Sequence, residues 1–131
     1  MTTYLLDANV LIALTVREHE HHDRASEWLA RVEEFALSPV VEGALVRFLL
    51  RTGESGATTH AILSGVRQHA RCRFLPDDSS YLDADLPNLR GHRQAMDAYL
   101  AASAWRHGVL LATLDAGLAQ LHPDVARLLP E

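Results

Sequence analysis

The sequence predicts an α/β domain of three layers, with a central, mostly parallel sheet of four to five strands covered by helices on both faces. Three observations carry this. Short apolar runs of strand length alternate with longer amphipathic, helix-like segments. The apolar runs lack the polar alternation of a sheet with one wet face, as suits strands buried on both sides. The chain has 131 residues, 48% of them hydrophobic, enough for one packed core, so residues 1–131 read as a single domain.

The elements follow in order. TYLL (3–6) is a short buried strand. Asn9 offers a cap for a helix running through Leu14. In HEHHDRASEWLARVEEF (19–35), Ala25, Trp28, Leu29 and Val32 share one helical face. FALS (35–38) is a second strand. Ser38-Pro39 is a helix start, a cap residue with proline at the first helical position, and TGESG (52–56) ends that helix. Another helix spans roughly 57–70, and RFL (73–75) is a third strand. PDDSSYLDADLPN (76–88) is a polar loop with room for a helical turn. A helix from about 90 to 107 stops at Gly108. VLLA (109–112) is a strand, DAGLAQL (115–121) a short helix and VARLL (125–129) an edge strand. In such sheets ligands bind beyond the carboxyl ends of the strands, so acids placed there are the first candidates for a site.

Composition narrows the chemistry. No apolar run is long enough to span a bilayer. The N-terminal MTTYLLD lacks the features of a secretory signal, which gives the expectation of a cytoplasmic protein. Cys72 is the only cysteine, so neither an internal disulfide nor a Cys-based metal site is expected. All 12 basic residues are arginine. Without lysine there is no P-loop and no Schiff-base chemistry. The formal net charge of −5 runs against a generic phosphate-binding surface.

Four acids stand where bland explanations are weakest. Asp7 directly follows the first strand. Glu42 shares a helical face with Leu45, Val46 and Leu49, and it misses the capping-box position by one residue, since 41 is Val. The plain alternative for Glu42 is a buried ion pair with an arginine. Asp97 shares its face with Ala101 and Ala104. Asp115 lies just past VLLA, where it also qualifies as a helix cap, and Thr113 stands two residues before it. In a parallel sheet these positions converge on one edge. Two carboxylates about 4 Å apart repel by roughly 4 kcal/mol at an effective dielectric of about 20. Four need a counter-charge, and hard divalent ions, Mg²⁺ or else Mn²⁺, match an all-oxygen set. That predicts metal-assisted phosphate chemistry.

LLDANVLIAL (5–14), SPVVEGALVRFL (38–49), GHRQAMDAYLAASA (91–104) and LATLDAGLA (111–119) resemble, in order and spacing, the successive motifs of PIN-domain ribonucleases, most closely the VapC-type toxins of bacterial toxin–antitoxin pairs. HEHHDRASEWL (19–29) is similar to the second helix of many such toxins. The family's four acids fall on Asp7, Glu42, Asp97 and Asp115, and its helper residues on Asn9 and Thr113. Met96 departs from the pattern, since relatives often carry Thr there. The resemblance implies a PIN-like fold and a metal-dependent endoribonuclease silenced by a cognate antitoxin. It further implies a homodimer that forms a heterotetramer or larger complex with the antitoxin, and transfer or ribosomal RNA as substrate.

On this reading Asp7 and Asp97 hold Mg²⁺, Asp115 completes the pocket, and Glu42 orients or deprotonates the attacking water. Asn9 and Thr113 steady the carboxylates by hydrogen bonds. The four acids account for four of the five excess negative charges, which eases the conflict with an RNA substrate. Arg93, one turn before Asp97, is a candidate RNA contact, with a solvated helix residue as its alternative. His19, His21 and His22 read as a surface helix start rather than a metal chelate, because adjacent helical positions diverge. Trp28 and Trp105 read as core or interface residues. An aspartate-nucleophile phosphatase would need a second Asp where Asn9 stands, and a lysine. The non-enzymatic rival is an inert PIN-like binding module whose acidic groove only engages an Arg-rich partner peptide.

Overall fold

Strand β1 (Thr3–Leu6) lies at the centre of a sheet because both of its faces are apolar: Leu5 and Leu6 are fully buried. In a computed structural model describing residues 1–131, β2 (Glu34–Leu37) and β4 (Leu110–Thr113) flank it. The edges are β3 (Cys72–Phe74) and β5 (Ala126–Leu128), and all four pairings are parallel. The order β3-β2-β1-β4-β5 makes the β1/β4 boundary the point where the winding reverses.

Helices α1 (Ala8–Thr15), α2 (His22–Arg31), α3 (Pro39–Arg51) and α4 (Gly56–Arg67) connect β1 to β2 and β2 to β3. Right-handed crossovers put these four on one face, and α5 (Ala95–His107) and α6 (Ala116–Leu121) on the other. This is the expected three-layer α/β/α arrangement with a five-stranded sheet. Phe35, Leu37, Val41, Leu45, Leu100, Leu111 and Leu129 fill the core between the layers. No helix is long and apolar enough to cross a membrane.

Element boundaries differ from the sequence reading for local reasons. Asp7, not Asn9, caps α1: its carboxylate accepts from the Ala8 N–H at 2.7 Å. Helix α2 begins at His22 because residues 19–21 form a turn, in which His19 Nδ1 accepts from the His21 N–H at 3.0 Å. Strand β2 stops at Leu37, so Ser38 is the boundary residue of α3. Its buried hydroxyl makes no cap bond. Asp77, from the loop after β3, instead accepts from the Val40 N–H at 2.9 Å. Helix α5 starts at Ala95, after a 3₁₀ turn at His92–Gln94, and ends at Gly108 in the left-handed conformation (φ 67°). The polar loop carries two further 3₁₀ turns, at Tyr81–Asp83 and Leu86–Asn88.

Trp28 is a core residue, edge-on to Tyr4 at 5.2 Å between ring centroids. Trp105 is 69% exposed, so it is no core residue: the buried side of α5 is taken by Ala101 and Ala104, and the indole points outward.

Candidate active site

The carboxyl ends of β1 and β4 deliver the first part of the site. β1 runs straight into Asp7 and β4 ends on Thr113. Their pairing, with Leu6 opposite Ala112, brings the two residues together across 106 positions of sequence. Thr113 donates its hydroxyl hydrogen to Asp7 Oδ2 at 2.8 Å, while Asp7 Oδ1 accepts from Ala8. The same Thr113 oxygen accepts from the Asp115 N–H at 3.0 Å. One buried hydroxyl therefore ties two candidate acids to one strand end. Asn9 adds a tie from α1, its Oδ1 accepting from the Leu114 N–H at 3.2 Å.

Asp7 is only 5% exposed. Burial lifts its carboxyl above the ordinary range, against the opposing hydrogen bonds from Thr113 and Ala8, and the charge of Asp115 adds to the lift. Asp115 is exposed and caps α6, with Oδ1 accepting from the Gly117 N–H at 2.8 Å and the Leu118 N–H at 3.3 Å. A side chain at Gly117 would bring its Cβ within 3.2 Å of that oxygen, so glycine suits the tight cap.

Asp97 approaches from the first turn of α5. It is half-buried, and its carboxyl is pushed up to about 6, first by burial and then by the charges of Asp7 and Asp115. Three aspartates from β1, β4 and α5 thus share one electrostatic site. None of them has a cationic partner; every ion pair in the structure lies elsewhere.

Glu42 is not among the charges that raise Asp7 and Asp97, and it is engaged by an arginine. It stands in the first turn of α3, 17% exposed, and accepts from Arg67 at 3.0 Å. The alternative role is therefore met in its partner but not in its burial: the pair is with an arginine, and it is partly exposed. No three His, Cys, Asp or Glu side chains are arranged closely enough to hold a metal ion between them. Magnesium does not need three: one or two carboxylates, waters and a substrate phosphate suffice. Three uncompensated carboxylates, two of them with raised proton affinity, are a donor set that suits such an ion.

Several other residues have different occupations. Met96 packs against the core, so position 96 contributes bulk where a hydroxyl would have been polar. Arg93 is exposed on the turn before α5. His22 Nδ1 lies 2.8 Å from the Ala13 carbonyl and so braces α2 on α1. The Cys72 thiol is pushed up to about 11, chiefly by burial, which leaves it protonated and unsuited to nucleophilic work.

The PIN domain family profile matches residues 4–122. Ribonuclease VapC29 of Mycobacterium tuberculosis is 51% identical over 129 residues, covering 98% of this chain and 97% of the relative. The chain belongs to the PIN-domain family. Ribonuclease VapC38 of the same organism is 39% identical, covering 91% of this PIN domain and 92% of the relative. Among solved structures, VapBC2 from Rickettsia felis, bound to a DNA fragment from its promoter, superposes with a TM-score of 0.68 at 14% identity. That match covers 98% of this chain and 100% of the other. FitAcB from Neisseria gonorrhoeae gives 0.65 at 23% identity, covering 97% and 96%. At these identities the two structures speak to the fold of the PIN domain alone.

Two participants at the sheet edge had no signal in the sequence. Arg67 is the last residue of α4 and reads as an ordinary basic helix terminus. Phe74 reads as a strand residue, yet it is 43% exposed with the Arg67 guanidinium 4.5 Å from its ring centroid.

Proposed function

We propose that this PIN domain is a Mg²⁺-dependent endoribonuclease, the toxin of a toxin–antitoxin pair, acting on transfer or ribosomal RNA in the cytoplasm. The observation that carries the reading is the trio Asp7, Asp97 and Asp115, gathered at the β1/β4 switch point without any cation of the protein's own. Asp7 and Asp97 would hold Mg²⁺ (or Mn²⁺). The ion would supply charge neutralisation at the phosphate and a lowered pKa for water.

The chain's own residues do the rest. Thr113 and the Ala8 N–H fix both oxygens of Asp7, so this carboxylate is oriented before substrate arrives. Asp115, braced by Gly117 and Leu118, keeps the pocket negative. Glu42, once released from Arg67, would accept a proton from the attacking water. The water oxygen bonds to phosphorus in line with the leaving group, and the bond from phosphorus to the 3′-oxygen breaks. That oxygen takes up a proton from solvent, leaving a 5′-phosphate and a 3′-hydroxyl.

The proposed partners are a cognate antitoxin and a second copy of this chain, together a heterotetramer or a larger complex. Support for an antitoxin comes from the fold shared with VapBC2 and from the identity to VapC ribonucleases. The test is to incubate purified, antitoxin-free protein with total RNA in Mg²⁺ and in chelator. Fragments with 5′-phosphate ends that depend on the cation are expected. RNA left intact with every divalent ion tried would overturn the nuclease and leave the inert binding module.

A further inference from the structure

The acid assigned to the attacking water is engaged elsewhere in the free protein. Glu42 bonds Arg67 at 3.0 Å, and this pair is not buried: the arginine side chain is 40% exposed and the glutamate 17%. The guanidinium also lies 4.5 Å from the centroid of the Phe74 ring, which supports it from a second side. Phe74 is the last residue of β3 and pairs with Leu37, which ends β2. Glu42 follows that same end in the first turn of α3. The Arg67 group therefore occupies the carboxyl edge of the sheet, two strands from β1 and roughly 10 Å along the edge.

A carboxylate and a phosphodiester are interchangeable guests for a guanidinium, because both offer paired anionic oxygens to its fork of N–H donors. A half-exposed ion pair opens at little cost. The Phe74 ring stays behind as a support when the carboxylate leaves. A single-stranded RNA running along the sheet edge passes both the aspartate trio and this arginine.

We propose that Arg67 is a phosphate clamp held in reserve: in the free protein Glu42 occupies it, and on binding an RNA phosphodiester replaces the carboxylate and releases Glu42. This rests on the ribonuclease reading and adds a substrate contact to it. The same exchange couples substrate arrival to the freeing of the acid that activates water. It also answers how an acidic protein meets RNA, since the required cation is present but masked. Arg67 is thus a substrate-binding residue, and through Glu42 a positioning one.

The test uses a 5′-fluorescein single-stranded RNA oligonucleotide, with binding read by anisotropy in EDTA across 50–200 mM salt and cleavage read separately in Mg²⁺. Arg67→Ala is expected to bind about tenfold more weakly and to flatten the slope of log affinity against log salt by about 0.7. Arg67→Lys should restore the slope. Glu42→Gln should bind about threefold more tightly than wild type while failing to cut, and that gain should vanish in the Glu42→Gln/Arg67→Ala double variant. Thermal melts establish that each variant is folded. Wild-type protein that cuts RNA while Arg67→Ala keeps wild-type affinity and salt slope overturns the clamp alone. So does a Glu42→Gln gain that persists without Arg67, since general charge relief would then explain it. Wild-type protein that neither binds nor cuts RNA overturns the ribonuclease reading and the clamp together.

Discussion

Thr113 donates to Asp7 Oδ2 at 2.8 Å and is itself fully buried, so the hydroxyl has no access to water as an alternative partner. Replacing it with valine keeps the shape and removes the donor. A hydrogen bond to a buried charged group is worth about 1.5–3 kcal/mol, and the Asp115 N–H loses its acceptor as well. Thr113→Val is expected to lose about 2 kcal/mol in urea denaturation at pH 7. Without the donor, the Asp7 carboxyl rises further in the folded state, so folded protein binds protons more readily than unfolded. The deficit should therefore shrink as the pH is lowered. Thr113→Ser, which keeps the hydroxyl, should recover most of the loss.

Asp97→Asn is expected to stop cleavage and to stabilise the metal-free protein. The folded carboxyl, at about 6, lies above its ordinary value of 3.8. Between those values the folded state holds more protons than the unfolded, so stability falls as pH rises through the window and stays reduced above it. Unscreened, two pK units would correspond to roughly 3 kcal/mol. Asp97 is only partly buried, and screening by solvent brings the expected gain at pH 7.5 to about 1 kcal/mol, or roughly 3–5 °C in melting temperature. At pH 3.5 wild type and variant should melt together. A fall in melting temperature at pH 7.5 would mean that Asp97 holds the fold by some other bond.

The same crowding ties metal binding to protons. Mg²⁺ stabilises only the ionised trio, so its binding at pH 5.5 should release protons from Asp97, whose carboxyl is pushed up to about 6. Calorimetric titration in buffers of different ionisation enthalpy reads this directly. The apparent affinity should climb with pH up to about 6.5 and flatten beyond it. At tenfold over the dissociation constant, Mg²⁺ should add about 1.4 kcal/mol to wild-type stability. It should add markedly less to Asp97→Asn.

Much of this arrangement could be read from sequence because it rests on local patterns. Short apolar runs gave β1, β2 and β4 nearly to the residue, and Gly108 marked the end of α5, where a left-handed backbone is needed. Asp7 and Asp115 were conspicuous as acids just past strands, and they do sit together at the β1/β4 switch point. What escaped were relationships between segments. The capping preferences of Asp7 and Asn9 are nearly equal in isolation. Only the approach of Leu114 draws Asn9 outward and leaves the cap to Asp7. Asp77 reaches the start of α3 across 37 positions, and Arg67 reaches Glu42 across 25, because α3 and α4 pack as a hairpin. A helical wheel shows which way Glu42 faces but not which side chain meets it.

Asn9 permits a sharper separation of charge from structure. Its Oδ1 anchors the Leu114 N–H at 3.2 Å, and its amide also favours the ionised form of Asp7. Asn9→Ala removes both and is expected to cost about 1–2 kcal/mol, a deficit that shrinks only slightly as the pH falls because the Asn9 bond is the smallest of the influences on Asp7. Asn9→Asp keeps an oxygen acceptor for Leu114 but replaces a favourable amide with a fourth carboxylate beside Asp7. At pH 7.5 it should be at least as destabilising as alanine. Both acids would then hold protons more tightly folded than unfolded, so the aspartate variant should regain stability as the pH falls toward 5 and overtake the alanine one. Melting curves of the two variants between pH 5 and pH 8 should therefore cross. Parallel curves would show that Asn9 serves the Leu114 anchor alone and has no part in setting the charge on Asp7.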